Sequence, residues 1–173
     1  MNVLESATSM DSPVQEHPAL LANDLQWLEG KLETLGNPHH YVNQEDLVSF
    51  TLQDARVSPW TVTGLPVSRA AQIIVARATA QFLLLPGESA REMYREPPRT
   101  KTLIFYTPLA VIRGEAPFLS EARLHNFLEF WKGLFVPIGD ARIHYLMSAA
   151  AEMPAQSPLL YLNRTVIQSY VEA

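Results

Sequence analysis

Leucine recurs in the first part of the chain at spacings of four and three. The positions concerned are Leu21, Leu25, Leu28, Leu32 and Leu35. This is the stripe of an amphipathic helix. Pro18 suits a first helical turn, and Gly36-Asn37-Pro38 is a stop signal. The pattern therefore predicts a helix over 18–36.

A second helix is predicted over 121–132, and its ends are the best specified in the chain. Ser120 is placed as the N-cap and Gly133 as the left-handed cap. Its apolar stripe has the spacing i, i+3, i+4 and i+7 and consists of Leu124, Phe127, Leu128 and Trp131. A shorter helix is predicted to begin at Ser89-Ala-Arg-Glu92, which has capping-box spacing, and to end before Pro97-Pro98.

Short apolar runs predict strands in the rest of the chain. They cover 39–43, 47–52, 103–106 and 109–112. The runs at 73–75 and 82–85 predict a strand pair or one long buried strand, with a helix through 76–80 left open. From Leu134 to Tyr145 the alternation changes phase around Gly139, which requires an extra residue. We predict a β-bulge or sharp bend there.

A thirteen-residue pattern occurs twice, at 38–50 and 158–170. Pro, Tyr, Asn and Ser occupy the same places in both copies, and Asn43 and Asn163 are interpreted as turn formers. The repeat suggests a duplication. We predict an α+β fold, a curled antiparallel sheet or small barrel built from two related halves, each with an amphipathic helix. The halves are placed at about 17–97 and 98–173, forming a single domain after a flexible tail at 1–16.

The second half resembles a group of small uncharacterised bacterial β-rich proteins. The resemblance covers about 102–171 and rests on the order strand, strand, helix, followed by two segments. These are Phe135-Val-Pro-Ile-Gly-Asp-Ala141 and the strand Leu160-Tyr-Leu-Asn-Arg164. It implies a bacterial domain of unknown function, and it implies no activity.

Length and charge exclude several classes of protein. The chain has 173 residues, which is enough for one compact domain with a buried core. Its net charge of −5 comes without any cluster of Lys or Arg, so we expect no nucleic-acid partner. The most apolar stretch, 70–86, contains Arg77 and Gln81 and is too short to cross a bilayer. With no signal peptide in the sequence, we expect a cytoplasmic protein that makes no membrane contact.

The sequence contains few candidates for chemistry. His39 and His40 adjoin two acidic residues, but neighbours in a strand face opposite sides, so no metal site or other cofactor is predicted. Asp140, Arg142 and His144 alternate on one strand face and form the candidate ligand site, although a solvated face has the same spacing. Neither a Gly-x-Ser-x-Gly elbow nor a glycine-rich phosphate loop occurs, so no enzyme activity is predicted.

The candidate interaction surface is apolar. Phe130 lies off the buried stripe of the second helix and next to Trp131, where an exposed aromatic residue favours a partner surface. The other candidates are Trp60, Leu21, Leu25 and Leu28. The sequence thus predicts a non-catalytic protein-interaction or regulatory domain, with a protein partner or as a homodimer. The alternative is a small-molecule sensor with a pocket between the halves, and an Sm-like nucleic-acid barrel is disfavoured by charge.

Overall fold

The structure, a computed structural model, describes residues 13–119 and 123–173. Within these ranges the strands are β1 (Val14–Asn23), β2 (Gln26–Leu35), β3 (Ser49–Pro59), β4 (Ser68–Ala76), β5 (Ala80–Leu84), β6 (Thr100–Tyr106), β7 (Ala110–Pro117), β8 (Phe135–Tyr145), β9 (Gln156–Asn163) and β10 (Ser169–Glu172). The helices are α1 (Pro38–Tyr41), α2 (Glu88–Met93) and α3 (Phe127–Phe130). Turns of 3-10 helix cover Thr61–Thr63, Arg77–Thr79, Leu124–Asn126 and Arg164–Val166.

The strands form one antiparallel sheet in the order β10-β6-β7-β8-β9-β5-β1-β2-β3-β4. Strands β10 and β4 are its two edges, so the sheet is open rather than closed into a barrel. The predicted α+β class is wrong. The described chain is mainly β-structure, and its three α-helices are too short to give each half an amphipathic helix.

The two halves of the sheet have the same strand order. The first half runs β5-β1-β2-β3-β4 and the second runs β10-β6-β7-β8-β9, so each strand of one half has a counterpart five strands later. Antiparallel pairing of β5 with β9 joins the halves into one sheet. The seam is therefore made by ordinary main-chain hydrogen bonds between central strands.

Each half also contains an Asp-Ala-Arg segment at a β-bulge. Asp54 in β3 has φ +50° and Asp140 in β8 has φ +45°. The pairing of each strand with its neighbour changes register beside Gly30 and Gly114, respectively. The bulge predicted at Gly139 is confirmed, with the left-handed residue one position later. It keeps the inward side chains before and after it on the same face of the sheet.

The thirteen-residue pattern does not mark equivalent structure. Its first copy forms α1, a loop and the start of β3, whereas its second copy forms β9, a 3-10 turn and the start of β10. Tyr41 consequently ends a helix, while Tyr161 lies within a central strand and is buried. The predicted equivalence of these two segments is wrong. Arg77 and Arg164 do correspond, since each begins the 3-10 turn after β4 or β9, and the duplication stays a hypothesis that rests on strand order.

The helix predicted over 18–36 is instead the β1–β2 hairpin. Leu21 and Leu28 are directly paired across its two strands. The side-chain oxygen of Asn23 accepts hydrogen bonds from the main-chain N–H groups of Leu25, at 2.9 Å, and Gln26, at 3.1 Å, which forms the turn. Leu28 and Leu32 are four residues apart and share a strand face as readily as a helix face. The leucine spacing was therefore compatible with both structures.

The helix predicted over 121–132 is much shorter than its pattern suggested. The described part has a 3-10 turn at Leu124–Asn126 followed by α3, and the predicted cap Ser120 lies outside the described residues. Its predicted packing face is confirmed, because Phe127 is buried in a core cluster and Leu124, Leu128 and Trp131 pack against that cluster.

The helix predicted near Ser89 is confirmed as α2. Gly87 is its N-cap, without a side-chain hydrogen bond, so the predicted capping box is absent. The helix ends at Met93, before the two prolines. At the other end of the first half, β1 begins at Val14, inside the stretch predicted as tail, and residues 1–12 lie outside the described part.

The sheet has a separate hydrophobic core on each face. Alternate residues of β5 enter different cores, since Phe82 and Leu84 lie in one and Leu83 lies in the other. Leu162 and Tyr161 of β9 divide in the same way. The central strands are therefore buried on both faces, and α3 covers one core while α1 and α2 contribute to the other.

Candidate functional site

A groove of about 580 Å³ lies between α3, the end of β7 and the segment that precedes β6. Its apolar lining consists of three prolines and four aromatic residues together with one leucine: Pro97, Pro98, Pro117, Phe118, Phe127, Phe130, Trp131 and Leu119. Prolines have a fixed φ and aromatic rings have few rotatable bonds, so these walls lose little conformational entropy on binding a ligand.

Stacked aromatic rings form the floor of the groove. The rings of Phe118 and Phe127 are nearly parallel, with centroids 5.7 Å apart. Phe127 also packs against Phe105 and Tyr170, with ring centroids at 6.2 and 5.8 Å. Phe130, at the rim, keeps 48% of its surface exposed. The groove thus combines a floor fixed by the core with an accessible aromatic side chain.

The short helix α3 is held in place from its C-terminal end. The guanidinium of Arg164 donates to the main-chain oxygens of Leu128, at 3.5 Å, and of Trp131. The indole N–H of Trp131 donates to the main-chain oxygen of Phe135 at 3.0 Å. The bonds from Arg164 satisfy carbonyl groups that a helix end leaves without partners, and the bond from Trp131 ties the helix end to β8.

Asn43 of the first half fixes the segment that follows α3. Its side-chain amide donates to the oxygen of Phe135 at 2.9 Å, and its side-chain oxygen accepts from the N–H of Phe135 at 2.8 Å. A Cβ atom on Gly133 would lie 2.7 Å from that side-chain oxygen, so the close approach needs a glycine. Asn43 lies in a turn, as predicted, but its side chain bridges the halves, whereas the side chain of Asn163 caps a turn.

The two charged residues that line the described part of the groove are both basic. Arg99 and Lys132 contribute to the lining, and no Asp or Glu belongs to it among the described residues. Nearby, the ammonium group of Lys101 lies 4.7 Å from the ring centroid of Phe118, but its charge is compensated by Glu172 at 3.5 Å, so the excess comes from Arg99 and Lys132. The whole chain carries a net charge of −5, so this local excess of positive charge is opposite in sign to the protein. It favours a ligand with a negative group.

The structure separates the residues proposed as an apolar interaction surface. Phe130 lines the groove, and Leu25 is exposed at the turn between β1 and β2. Leu21, Leu28 and Trp60 are buried in the cores, and the indole N–H of Trp60 donates to a main-chain oxygen at 2.9 Å. Only the first two residues present any surface to a partner.

Asp140, Arg142 and His144 are all exposed on β8. No ion pair joins Asp140 to Arg142 in the described chain. On the neighbouring strand β7, the residue paired with Arg142 is Arg113, which carries the same charge. These residues therefore do not converge on one ligand. Asp140 alone lines a cleft.

That cleft, of about 550 Å³, lies at the seam between the halves. Arg91 and Tyr94 line it from the α2 side, and Glu115 and Asp140 line it from the second half. Hydrogen bonds from Thr102 and Thr100 lower the pKa of Glu115. The seam cleft thus has an ionised carboxylate opposite an arginine, and its mixed charges contrast with the basic groove.

His39 is part of the core contacts and not of a metal site. Its Nε2 donates to the oxygen of Ala90 at 2.5 Å, so its Nδ1 accepts from the hydroxyl of Tyr161. This arrangement requires a neutral ring. Burial, and secondarily the nearby His17 and His40, lower the pKa of His39. In the described residues no three His, Asp or Glu side chains are grouped closely enough to hold a metal ion.

The free energy of unfolding is expected to fall as the pH drops below about 6.5, the ordinary pKa of histidine. His39 and the buried His17 both have lowered pKa values in the folded protein. At pH values between the lowered pKa of each folded histidine and 6.5, the unfolded chain binds more protons than the folded protein. Lowering the pH through this range therefore favours unfolding. Urea denaturation at several pH values should show a smaller dependence for His39→Gln. The matched variant of the exposed neighbour, His40→Gln, removes only a minor cause of the lowered pKa of His39 and should reduce the dependence less than His39→Gln. Equal behaviour of the two variants would contradict the assignment.

Comparison with known proteins assigns no family to the chain. No protein-family model, curated protein or solved structure matches it. Within the described ranges, no helix is long and apolar enough to cross a membrane. The function therefore has to be argued from the geometry of the chain itself.

Phe130 is the single groove residue among the sequence-based candidates, and the residues that were missed include Phe118, Arg99 and Lys132. Arg99 directly follows the two prolines that were interpreted only as the boundary between the halves. Lys132 was placed inside a helix that in fact ends at Phe130. A run of Pro-Pro-Arg was the available signal, since prolines and arginine together are common at binding surfaces.

Proposed function

We propose that the protein is a non-catalytic interaction domain that binds an acidic, aromatic-containing peptide segment of a partner protein in the groove. The observation that carries this proposal is the half-exposed ring of Phe130 in a groove whose only charged lining residues, within the described part, are basic. Exposed aromatic residues over a rigid apolar floor are typical of the points where partner proteins bind most strongly.

The shape of the groove supports a peptide ligand. Its volume lies within the range of ligand-binding pockets, yet it is bounded by surface segments on either side of α3 and is not enclosed by the sheet. The stacked rings of Phe118 and Phe127 are only 8% and 3% exposed, so they form a rigid support within the groove wall. The ring of Phe130 is the accessible contact for one aromatic or aliphatic side chain. A single anchoring side chain in such a site is the usual arrangement for short peptide recognition.

The basic residues supply direction and specificity. Arg99 and Lys132 belong to different segments, one before β6 and one after α3, so both can reach a carboxylate beside the anchor. Long-range attraction would raise the association rate of an acidic peptide and disfavour a basic one. The net negative charge of the rest of the chain keeps acidic peptides from binding elsewhere.

The chemistry of the lining supports a binding role. The described lining residues include no Ser, Thr, His, Asp or Glu, which are the usual nucleophiles and general bases of hydrolytic sites. Binding therefore needs only burial of apolar surface and pairing of charge, both of which the groove provides.

The seam cleft supports the second candidate function, a small-molecule sensor. The observation in its favour is that Asp140, Glu115 and Arg91 meet there across the junction of the halves. A ligand bound between them would contact both halves. The variant Asp140→Asn serves as the test of this alternative in the experiment that follows.

Selection of a random peptide library displayed on phage against the full chain is expected to enrich peptides with one large apolar residue next to Asp or Glu. Phe130→Ala should weaken binding of the enriched peptides about tenfold or more, because truncating an aromatic anchor commonly costs over 1.4 kcal/mol. Lys132→Glu should weaken acidic peptides and spare uncharged ones.

Two matched variants make the selection decisive. Leu25→Ala removes an apolar side chain that is more exposed than Phe130 from the β1–β2 turn, and Asp140→Asn alters the seam cleft. Neither should change binding of the enriched peptides. Failure to enrich any consensus would refute the peptide groove, as would binding that survives Phe130→Ala. Binding that is lost only with Asp140→Asn would favour the sensor.

A further inference from the structure

The two edge strands of the sheet differ in length and in protection. Strand β10 has four residues, ends in a glutamate that pairs with Lys101 at 3.5 Å, and has its Tyr170 hydroxyl bonded to the oxygen of Leu124 at 2.7 Å. Strand β4 has nine residues and, within residues 13–119 and 123–173, is paired only with β3. Natural sheets usually protect a long edge with Lys, Pro or a bulge.

Strand β4 contains none of these protecting features except one terminal charge. Its sequence from Ala70 to Ala76 holds no charged residue and no proline, and Arg69 is the single charge of the strand. Ile74 in the middle of the strand is 65% exposed. The outer main-chain groups of β4 are therefore available to another strand, and its side chains would not oppose the approach.

The surroundings of β4 carry opposite charges at its two ends. At the beginning, Arg69 is paired with Arg56 of β3. At the end, Ala76 is paired with Ser49, and the N–H of Arg77 donates to the oxygen of Val48 at 2.9 Å. The loop just before Val48 contains the exposed acidic residues 45 and 46. Because Arg56 already contacts Glu29 at 3.7 Å and Arg77 is buried, the exposed charge is basic at the start of the edge, on Arg69, and acidic at its end.

We propose that β4 is a self-association edge, at which two copies of this chain pair antiparallel about a twofold axis. Antiparallel pairing places the basic end of each copy beside the acidic end of the other, whereas parallel pairing would place Arg69 beside Arg69. With Gln72 on the axis, Ile74 of one copy faces Ala70 of the other, and Arg69 faces Val75 near the margin of the paired segment. The arrangement is self-complementary, as a twofold interface requires.

The charge pattern favours a second copy over a foreign strand. A foreign strand needs only an extended backbone, while a twofold pair requires that the two ends of one edge complement each other. β4 meets this additional requirement with Arg69 at one end and Glu45 and Asp46 near the other. The aromatic groove belongs to the β6–β7 side of the sheet, at the far end from β4, so the pair would present two accessible grooves.

Sedimentation equilibrium of the full chain over a range of concentrations tests the proposal. The wild type is expected to form a dimer whose dissociation constant rises with salt concentration. Arg69→Glu sets like charges together and should weaken the dimer about tenfold or more. Combining Arg69→Glu with Glu45→Lys and Asp46→Lys restores opposite charges, and the dimer should return to within a few-fold of the wild type.

Two further variants separate pairing of β4 from changes in folding. Ile74→Lys introduces a charge into the middle of the edge and should give a monomer with an unchanged circular dichroism spectrum. Val171→Lys places the same charge on β10 and should leave the dimer intact. A wild-type chain that stays monomeric at hundreds of micromolar would overturn the proposal. So would a dimer that Arg69→Glu and Ile74→Lys leave unchanged.

Discussion

Gly114→Ala is expected to destabilise the protein by about 3 kcal/mol or more, since overpacking a rigid core site costs this much when the backbone must move. A Cβ atom on Gly114 would lie 2.5 Å from Cγ2 of Ile138 and 2.7 Å from the main-chain oxygen of Gly139. Ile138 is fully buried, and the oxygen belongs to a paired strand. Neither atom can move without disturbing the bulge at which the pairing of β7 with β8 changes register.

Gly139→Ala provides the matched control for this bulge. The atoms nearest to its Cβ would be those of Glu115, at 3.6 and 3.7 Å, which is ordinary van der Waals contact. We expect its free energy of unfolding to stay within about 0.5 kcal/mol of the wild type. Urea denaturation followed by tryptophan fluorescence measures both variants. Similar stabilities for Gly114→Ala and Gly139→Ala would show that the close packing at Gly114 is not a constraint.

Asn163→Asp is expected to cost about 3–5 kcal/mol although it barely changes the shape of the side chain. The amide of Asn163 donates to the main-chain oxygens of Ala80, at 2.8 Å, and Ala78, at 3.2 Å, and the residue is fully buried. A carboxylate there would face two carbonyl oxygens and bury a charge. Because Arg164 follows directly and holds the end of α3, the groove should loosen as well.

The pH dependence of Asn163→Asp distinguishes this cause from a general loss of packing. Burial raises the pKa of an introduced carboxyl group above its ordinary value of about 3.9. The folded variant then binds more protons than the unfolded chain, so its stability should fall as the pH rises through that raised pKa and partly recover in acid. The wild type should show the opposite trend below pH 6.5, because its buried histidines have lowered pKa values.

Asn126→Asp is the control for the amide substitution. The side-chain oxygen of Asn126 accepts from the N–H of Arg123 at 2.8 Å, and its amide donates no hydrogen bond within the described part of the chain. A carboxylate keeps the acceptor and lies before α3, so we expect a change within about 0.5 kcal/mol. Equal losses in the two variants, measured by urea denaturation, would contradict the role assigned to the Asn163 amide.

In strand order, the aromatic groove beside β6 and β7 and the edge strand β4 lie toward opposite ends of one sheet. A dimer paired through β4 would carry two aromatic grooves, and a partner with two acidic segments would bind it more tightly than either segment alone. The variants Phe130→Ala and Ile74→Lys act on separate surfaces. Loss of peptide binding and loss of the dimer can therefore be measured independently.

Local sequence pattern predicted the packing of α3 and one residue of the candidate site, Phe130. The stripe of Leu124, Phe127, Leu128 and Trp131 gave the packing face of α3 correctly, because the side-chain directions of a helical turn follow from spacing alone. The same helical spacing placed Phe130 outside the buried face of α3. Arg99 and Lys132 line the same groove only because long-range strand pairing brings the segments before β6 and after α3 together. No local sequence pattern predicts this arrangement.

The sequence by itself determined the change of phase at Gly139, the position of α2 and the face by which α3 packs, since each depends on neighbouring residues. Only the tertiary structure decided that the leucines from 21 to 32 form a hairpin, because a spacing of seven fits two helical turns and also two strand residues at equal distances from a turn. Strand order was likewise decided by long-range pairing. It places the seam at β5 and β9, with the groove on one side of it and β4 on the other.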